Sequence, residues 1–308
     1  MLNWLVIGIG DITIKRVLPA ILAEPRSRLC GTVTRHPEKA DAYGVPAWTD
    51  LSVALKESGC QAVYVGTPVA LHAAQSILSL RAGMHVLCEK PTAMNYAEAC
   101  AMQQVAVETE RQLGVAYYRR MYPKVNRAKA LIAEGAIGQV VFAEATAHSW
   151  FPESEARDAW RANPALAGGG PLYDIASHRI DLMNYLFGKP RRVAGQISNA
   201  VHRYAVEDNA TVMVEYAGGL RGVVDVRWHS QVSRDEFRIR GTAGELDLSP
   251  LNDPPLVTAA GRESIAAPAN LHYPCIEEFV TSAVEGTPFR SSIHSAVDVD
   301  WVTAQVMR

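Results

Sequence analysis

The sequence lacks the features that mark secreted, zinc-binding or membrane proteins. It has only five cysteines, which are odd in number and scattered, and no Cys-x-x-Cys pair. This scarcity favours buried, reduced thiols in a cytoplasmic compartment over disulfides or a zinc site. No apolar run is long enough to span a bilayer. The apolar opening lacks a basic region and a cleavage site, so it is expected to be a buried strand and not a signal peptide.

Charge of neither sign is in excess. The formal net charge is −2, which leaves no basic field to hold nucleic acid or an anionic membrane, so we expect neither as a partner. Hydrophobic residues make up 48% of the chain and charged residues 20%, as in ordinary globular proteins. A chain of 308 residues is too long for one ordinary core, so two domains are expected.

Short apolar runs alternate with helical patterns through the first third of the chain. This alternation predicts an α/β domain with a parallel sheet. The predicted strands are Asn3–Gly8, Leu29–Thr34, Ala62–Gly66, Met84–Cys88 and Val115–Tyr118.

Longer alternating runs, separated by turn signals such as Gly218-Gly219, follow after Arg119. They predict an α+β domain with a largely antiparallel open sheet and helices over one face. Because strands such as the one around Val212 and Met213 carry apolar residues on both faces, a homodimer or homotetramer is also expected. The boundary is expected near residue 119.

A glycine-containing turn closes the first strand and opens a helix. Gly8 permits a tight turn, Gly10 lets a pyrophosphate approach the backbone, and the helix start offers N–H groups to phosphate. Thr13 stands where the motif has a small third residue, so it should hold the helix slightly off the strand. The incomplete G-x-G-x-x-G pattern is weak by itself, and a plain glycine turn is the alternative. The predicted dinucleotide contacts are Gly8, Ile9, Gly10, Asp11 and Ile12.

The end of the second strand bears on the choice of cofactor. Thr34-Arg35-His36 stands where an Asp or Glu would bond the adenosine ribose of NAD. Arg35 can pair with a 2′-phosphate, so NADP is favoured over NAD. The alternatives for Arg35 are a solvated loop charge or stacking on adenine. Residues 1–119 are therefore predicted to form a dinucleotide-binding Rossmann domain, with Thr34, Arg35 and His36 as cofactor contacts.

Glu89-Lys90-Pro91 follows a predicted strand at the sheet edge where ligands bind. A lysine there can donate a hydrogen bond to a substrate oxygen. An exposed ion pair is the alternative for such a dipeptide.

Asp174, His178 and Asp181 fall on one polar stripe of a helix predicted over Leu172–Leu186, apart from its apolar face. Histidine takes a proton readily near neutral pH, which favours a catalytic role. A solvated stripe is the alternative. The three glycines before this helix indicate close packing or the approach of a ligand.

Together these elements resemble the Gfo/Idh/MocA family (glucose–fructose oxidoreductase, inositol dehydrogenase and relatives). The resemblance implies an NAD(P)-dependent oxidoreductase that transfers hydride between nicotinamide and a secondary alcohol or ketone of a sugar, cyclitol or related polyol. The matching stretches are Gly8-Ile9-Gly10, Gly66-Thr67-Pro68 with His72, Ala82–Pro91, Tyr118-Arg119-Arg120, Trp160-Arg161 and Gly168–Asp181.

The resemblance also implies residue roles. Lys90 would hydrogen-bond the reacting oxygen, Asp174 would orient the substrate, and His178 would exchange the hydroxyl proton. Residues 120–308 would bind substrate and mediate oligomerisation, without a metal. Further cofactor contacts would come from Thr67, Pro68, His72, Glu89, Lys90 and Arg161. Substrate contacts would come from His148–Phe151, Arg157, Tyr173 and the strand around Trp228.

Three other functions stay open at this point. The fold can support NAD-dependent glycosidase-type chemistry, in which a transient oxidation precedes elimination. Asp174, His178 and Asp181 have helical spacing that suits a divalent metal. The chain can also be a non-catalytic NADP-binding sensor.

Overall fold

The computed structural model describes residues 1–152 and 159–308. They form two compact units, one of residues 1–118 with 269–297 and one of residues 119–268 with 298–308. The sequence predicted two contiguous segments, whereas residues 269–297 group with the first unit. The rings of Phe279 and Trp4, 5.4 Å apart between centroids, exemplify the apolar packing that attaches this segment there.

Six parallel strands form the sheet of the first unit, in the order β3-β2-β1-β4-β5-β6. Their bounds are β1 (Leu2–Ile7), β2 (Ser27–Val33), β3 (Ala47–Trp48), β4 (Ala62–Val65), β5 (His85–Cys88) and β6 (Leu113–Val115). All four residues of β4 are buried, as expected for a parallel strand covered on both faces. The predicted Rossmann fold is confirmed.

Eight strands form the sheet of the second unit, in the order β14-β13-β12-β11-β7-β10-β9-β8. Their bounds are β7 (Val140–Trp150), β8 (Arg192–Ser198), β9 (Asn209–Glu215), β10 (Arg221–Arg227), β11 (His229–Gly241), β12 (Glu245–Asp247), β13 (Pro255–Thr258) and β14 (Gly261–Ser264). β10 pairs in parallel with β7, whereas β9 and β11 run antiparallel to their neighbours. The predicted, largely antiparallel sheet is confirmed.

Helices complete both units. Their bounds are α1 (Leu18–Ala23), α2 (Leu51–Glu57), α3 (His72–Arg81), α4 (Tyr96–Glu108), α5 (Pro123–Ala133), α6 (Pro164–Ala167), α7 (Ser177–Phe187), α8 (Tyr273–Glu285) and α9 (Ile293–Val306). In the second unit α7 packs on β10, where a Cβ on Gly222 would lie 2.6 Å from the Met183 sulfur. Within the described residues, no helix has the length and apolar character needed to cross a membrane.

Candidate active site

The carboxyl ends of β1, β4 and β5 bring three predicted site segments to one edge of the first sheet. The glycine turn follows β1, Thr67 follows β4 and Lys90 follows β5. The strand order changes direction between β1 and β4, and open α/β sheets bind ligands at the carboxyl edge of such a point.

The glycine turn leaves space for a ligand. Gly8 has a φ of 86°, and a Cβ there would lie 2.7 Å from the Gly66 carbonyl oxygen, so only glycine fits without strain. Gly10 is exposed, and among the described residues no atom other than those of Gly10 and its two chain neighbours lies within 4 Å of the position that its Cβ would take. Thr13 is fully buried, and its Oγ1 lies 2.9 Å from where a Cβ of Gly66 would be. The missing side chain of Gly66 therefore makes room for the branched residue.

The segment after β2 carries Arg35, the cation predicted to select the cofactor. Thr34 Oγ1 accepts a hydrogen bond from the His36 backbone N–H at 3.1 Å, and the His36 ring lies 3.3 Å from Glu38. Arg35 is exposed. Lys39, which the sequence did not single out, places its Nζ 3.5 Å from the Ile9 carbonyl oxygen. Lys39 thus brings a cation from the segment after β2 to the glycine turn.

His72 lies between the loops that follow β4 and β5. Its Nε2 is 2.9 Å from the Thr67 carbonyl oxygen and its Nδ1 is 2.9 Å from that of Pro91. Burial lowers the pKa of His72, against the opposing effect of these two carbonyl groups. Thr67 itself donates to Gln75 Oε1 at 2.7 Å. The buried ring therefore connects the two loops.

Glu89 is buried, and its carboxylate has several donors within the first unit. Oε1 accepts a hydrogen bond from the Tyr64 hydroxyl and lies 3.3 Å from His272 Nε2, while Oε2 accepts from the Lys90 backbone N–H at 3.0 Å. Burial raises the pKa of Glu89, but the contacts with His272 and Tyr64 and the Lys90 charge outweigh it and lower the pKa to about 2. The carboxylate is therefore ionised beside Lys90, whose own side chain is half-exposed.

In the second unit, Asp174 and His178 lie at the start of the predicted helix. Asp174 is half-buried in a π-helical turn, Leu172–Ala176, and His178 is buried in the first turn of α7. Single π turns inside helices often occur at functional sites. Asp181, expected on the same polar stripe, is instead buried in an ion pair with Arg120.

The three glycines before this helix serve close packing. A Cβ on Gly169 would lie 2.4 Å from the Tyr173 ring, and one on Gly170 would lie 2.1 Å from the Glu207 carbonyl oxygen. Glu207 Oε1 also accepts from the Leu172 backbone N–H at 3.0 Å. Glu207 thus holds the start of the helix that carries Asp174 and His178.

The remaining predicted contacts lie in the second unit. Arg161 stacks on Trp160, with 5.6 Å from its guanidinium carbon to the ring centroid. Trp228 is buried and stacks on Phe151 at 4.3 Å between centroids. Trp150 is 44% exposed. Arg157 lies outside the described residues.

Sequence reasoning missed Tyr64, His272, Glu207 and Lys39. Glu89 and His272 are 183 residues apart in the sequence, and Leu172 and Glu207 are 35 apart. No local sequence pattern predicts contacts over such separations. Lys39 is the exception, since it lies only four residues after Arg35 and is a further cation of the same segment.

Two family models match the chain. Residues 2–117 match an oxidoreductase family with an NAD-binding Rossmann fold, and residues 125–247 match a GFO/IDH/MocA C-terminal domain. The chain is 29% identical to 1,5-anhydro-D-fructose reductase from Ensifer adhaerens, over 93% of this chain and 89% of that protein. It is 31% identical to trans-1,2-dihydrobenzene-1,2-diol dehydrogenase from Oryctolagus cuniculus, over 78% of this chain and 71% of that protein. A solved structure of levoglucosan dehydrogenase with NADH and levoglucosan has a TM-score of 0.88 at 24% identity, covering 99% of this chain and 96% of that one.

These matches agree with the fold described above. The first model covers all six strands of the parallel sheet, and the second covers β7 to β12. The chain is therefore an oxidoreductase with an NAD-binding Rossmann fold, and it belongs to the Gfo/Idh/MocA family.

Proposed function

We propose that the protein is a dehydrogenase or reductase that prefers NADP to NAD and acts on a secondary alcohol or ketone of a sugar, cyclitol or related polyol. The observation that carries the proposal is the position of Lys90 at the carboxyl edge of the parallel sheet, one strand from Thr67 and two from the glycine turn. The substrate class is supported by the names of the two relatives, an anhydro-sugar reductase and a diol dehydrogenase.

The residues present fit a dinucleotide. The open space beside Gly10 would take the pyrophosphate against the backbone of residues 8–12, and Thr67 and Pro68 would border the nicotinamide ribose. When bound, the nicotinamide gives or accepts hydride at its C4. His72 and Glu89 would support the loops around it, and Arg161 remains a predicted cofactor contact.

The proposed preference for NADP rests on the charges of the side chains in the segment that follows β2. Thr34 is neutral and so would not repel a 2′-phosphate, whereas Arg35 and Lys39 are cations of the segment after β2, and Lys39 Nζ lies 3.5 Å from the Ile9 carbonyl oxygen. An aspartate in place of Thr34 would favour the ribose hydroxyl of NAD instead.

The chain's own side chains would handle the proton. Lys90 would donate a hydrogen bond to the reacting oxygen, and Asp174 would orient the substrate. His178 would take the hydroxyl proton during oxidation and return it during reduction, a task suited to histidine near neutral pH. Holding the groups in place would supply much of the acceleration.

A panel of sugars, cyclitols and polyols, with the oxidised and reduced forms of both cofactors, tests the proposal through nicotinamide absorbance. We expect turnover of at least one member and a higher kcat/KM with NADP(H). Release of sugar without net change in the nicotinamide would point to glycosidase-type chemistry. Nucleotide binding without turnover of any member would point to a sensor.

A further inference from the structure

We propose that His272 is a positioning residue for Lys90 and acts through the Glu89 carboxylate; this rests on the proposed function. His272 directly precedes α8, in the segment that groups with the Rossmann unit. Its Nε2 lies 3.3 Å from Glu89 Oε1, and Glu89 Oε2 accepts the Lys90 backbone N–H at 3.0 Å. The carboxylate therefore connects the histidine to the backbone of the lysine.

The His272 ring is held firmly. It is 1% exposed and packs against the Tyr118 ring in a tilted arrangement, with 4.2 Å between the ring centroids. The His272 backbone N–H donates to Asn270 Oδ1 at 2.9 Å, and Asn270 Nδ2 donates to the Arg16 carbonyl oxygen at 2.8 Å. A ring fixed in this way can fix the carboxylate that it contacts.

The carboxylate needs its donors because it is buried. A buried charge is costly unless hydrogen bonds compensate for lost water. Three groups do so here: the Tyr64 hydroxyl, His272 Nε2 and the Lys90 backbone N–H. Loss of one donor would let the Glu89 side chain shift and take the Lys90 backbone with it. A catalytic group misplaced by about 1 Å can cost up to about a hundredfold in rate.

Two substitutions at His272 separate the hydrogen bond from the space that the ring fills. His272→Leu removes the donor, whereas His272→Gln keeps an N–H at a similar reach. His272→Leu should lower kcat about tenfold, because Lys90 moves. The KM for the alcohol and the Kd for NADPH should change by less than about twofold, because the surfaces that bind them stay in place. His272→Gln should recover at least about half of the kcat that His272→Leu loses. His294→Leu, at an exposed histidine of the same unit, is the matched control and should leave kcat unchanged.

A spectroscopic readout does not depend on turnover. In protein labelled with ¹³C-lysine, the Lys90 ε-carbon resonance can be assigned by its loss in Lys90→Met. It should move in His272→Leu, return towards the wild-type position in His272→Gln and stay in place in His294→Leu. Tyr64→Phe removes the other donor to Glu89 Oε1 with little change of shape, so it should move the resonance even if His272→Leu does not fold.

Wild-type kcat and an unmoved Lys90 resonance in His272→Leu would overturn the proposal. So would a Gln variant as impaired as Leu, since ring packing alone would then explain the effect. If the wild-type protein turns over no polyol, the proposed function fails, while the resonance still decides whether His272 positions Lys90.

Discussion

Arg120 and Asp181 form a buried ion pair in the second unit. Arg120 Nε lies 2.9 and 3.0 Å from the two carboxylate oxygens of Asp181, and the two side chains are 2% and 1% exposed. The pair joins the segment before α5 to the helix that carries His178. It makes Asp181 a structural residue rather than a third member of a metal or catalytic stripe.

Breaking this ion pair should lower the free energy of unfolding substantially. Asp181→Leu removes the carboxylate and leaves the buried guanidinium without this partner, so urea unfolding should show a loss of about 3–5 kcal/mol. The double variant Arg120→Met with Asp181→Leu should regain a large part of that loss. Lys15→Met breaks an exposed pair with Asp11 and serves as the control, with a cost below about 1 kcal/mol. A cost for Asp181→Leu no larger than that of the control would contradict the assignment.

Asp208 should make the stability of the second unit depend on pH. Burial opposes its ionisation, but hydrogen bonds from the backbone N–H groups of Ala200, Val201 and His202 lower its pKa to about 2, from an ordinary value of 3.8. Because the folded pKa lies below the unfolded one, the stabilisation is fully present above about pH 4 and is lost as the pH falls towards 2. Its size is on the order of 2 kcal/mol.

Urea unfolding of wild type and Asp208→Asn between pH 7 and 3 measures this effect. The difference in unfolding free energy should be largest at neutral pH and shrink below about pH 4. Asp41→Asn, at an exposed aspartate, is the control. A difference between wild type and Asp208→Asn that is constant across this range would rule out the ionised carboxylate as its source.

Lys90 and His178 should each be needed for turnover. Lys90→Met and His178→Ala should lower kcat by about a hundredfold or more, because each removes a group proposed to act on the reacting oxygen or its proton. Nucleotide binding, followed by the fluorescence of NADPH, should persist. Lys56→Met and His294→Ala, at exposed positions, should keep wild-type rates. Near-normal turnover in either site variant would remove that residue from the mechanism.

The Kd for NADP should be about 10- to 100-fold lower than the Kd for NAD. A well-formed charge-assisted contact with the 2′-phosphate contributes about 1.5–3 kcal/mol. Thr34→Asp with Arg35→Ala should reverse the order, and Lys39→Ala should weaken NADP more than NAD. Arg28→Ala, at an exposed arginine near the start of β2, is the control. Equal wild-type affinities, or a double variant that still prefers NADP, would defeat the proposal.

The outer face of the second sheet is expected to be buried in a homo-oligomer. The sequence suggested apolar residues on both faces, but the described residues show a mixed outer face. Val212 and Val214 are buried, whereas Met213, between them on β9, is 44% exposed. Charged pairs such as Arg240 with Glu144, 2.7 Å apart, share that outer face.

The expected oligomer predicts that light scattering shows a dimer or tetramer at micromolar concentration. Met213→Asp should shift the population to monomers, because it places a charge on the apolar part of the face. Leu22→Asp, at a residue 59% exposed in the other unit, is the control and should leave the assembly intact. A wild-type protein that is strictly monomeric would count decisively against the expectation.

Patterns within short stretches determined the fold class, and together with the family resemblance they predicted most of the candidate site. The alternation of β and α periodicity predicted both sheets, since each strand and helix must bury a face that its own residues define. The glycine turn and Lys90 could be placed at one edge because parallel strands bring their carboxyl ends together. The two-residue strand β3 was missed because it is too short to show a period.

Only the tertiary structure decided which polar side chains meet. Asp181 looked accessible on a helical stripe until Arg120, 61 residues away, was found against it. The buried Glu89 carboxylate is kept ionised in part by His272, 183 residues away. Such contacts depend on the packing of distant segments against one another. The sequence determines which groups are available, and the folded chain determines which of them lose water together and must therefore pair.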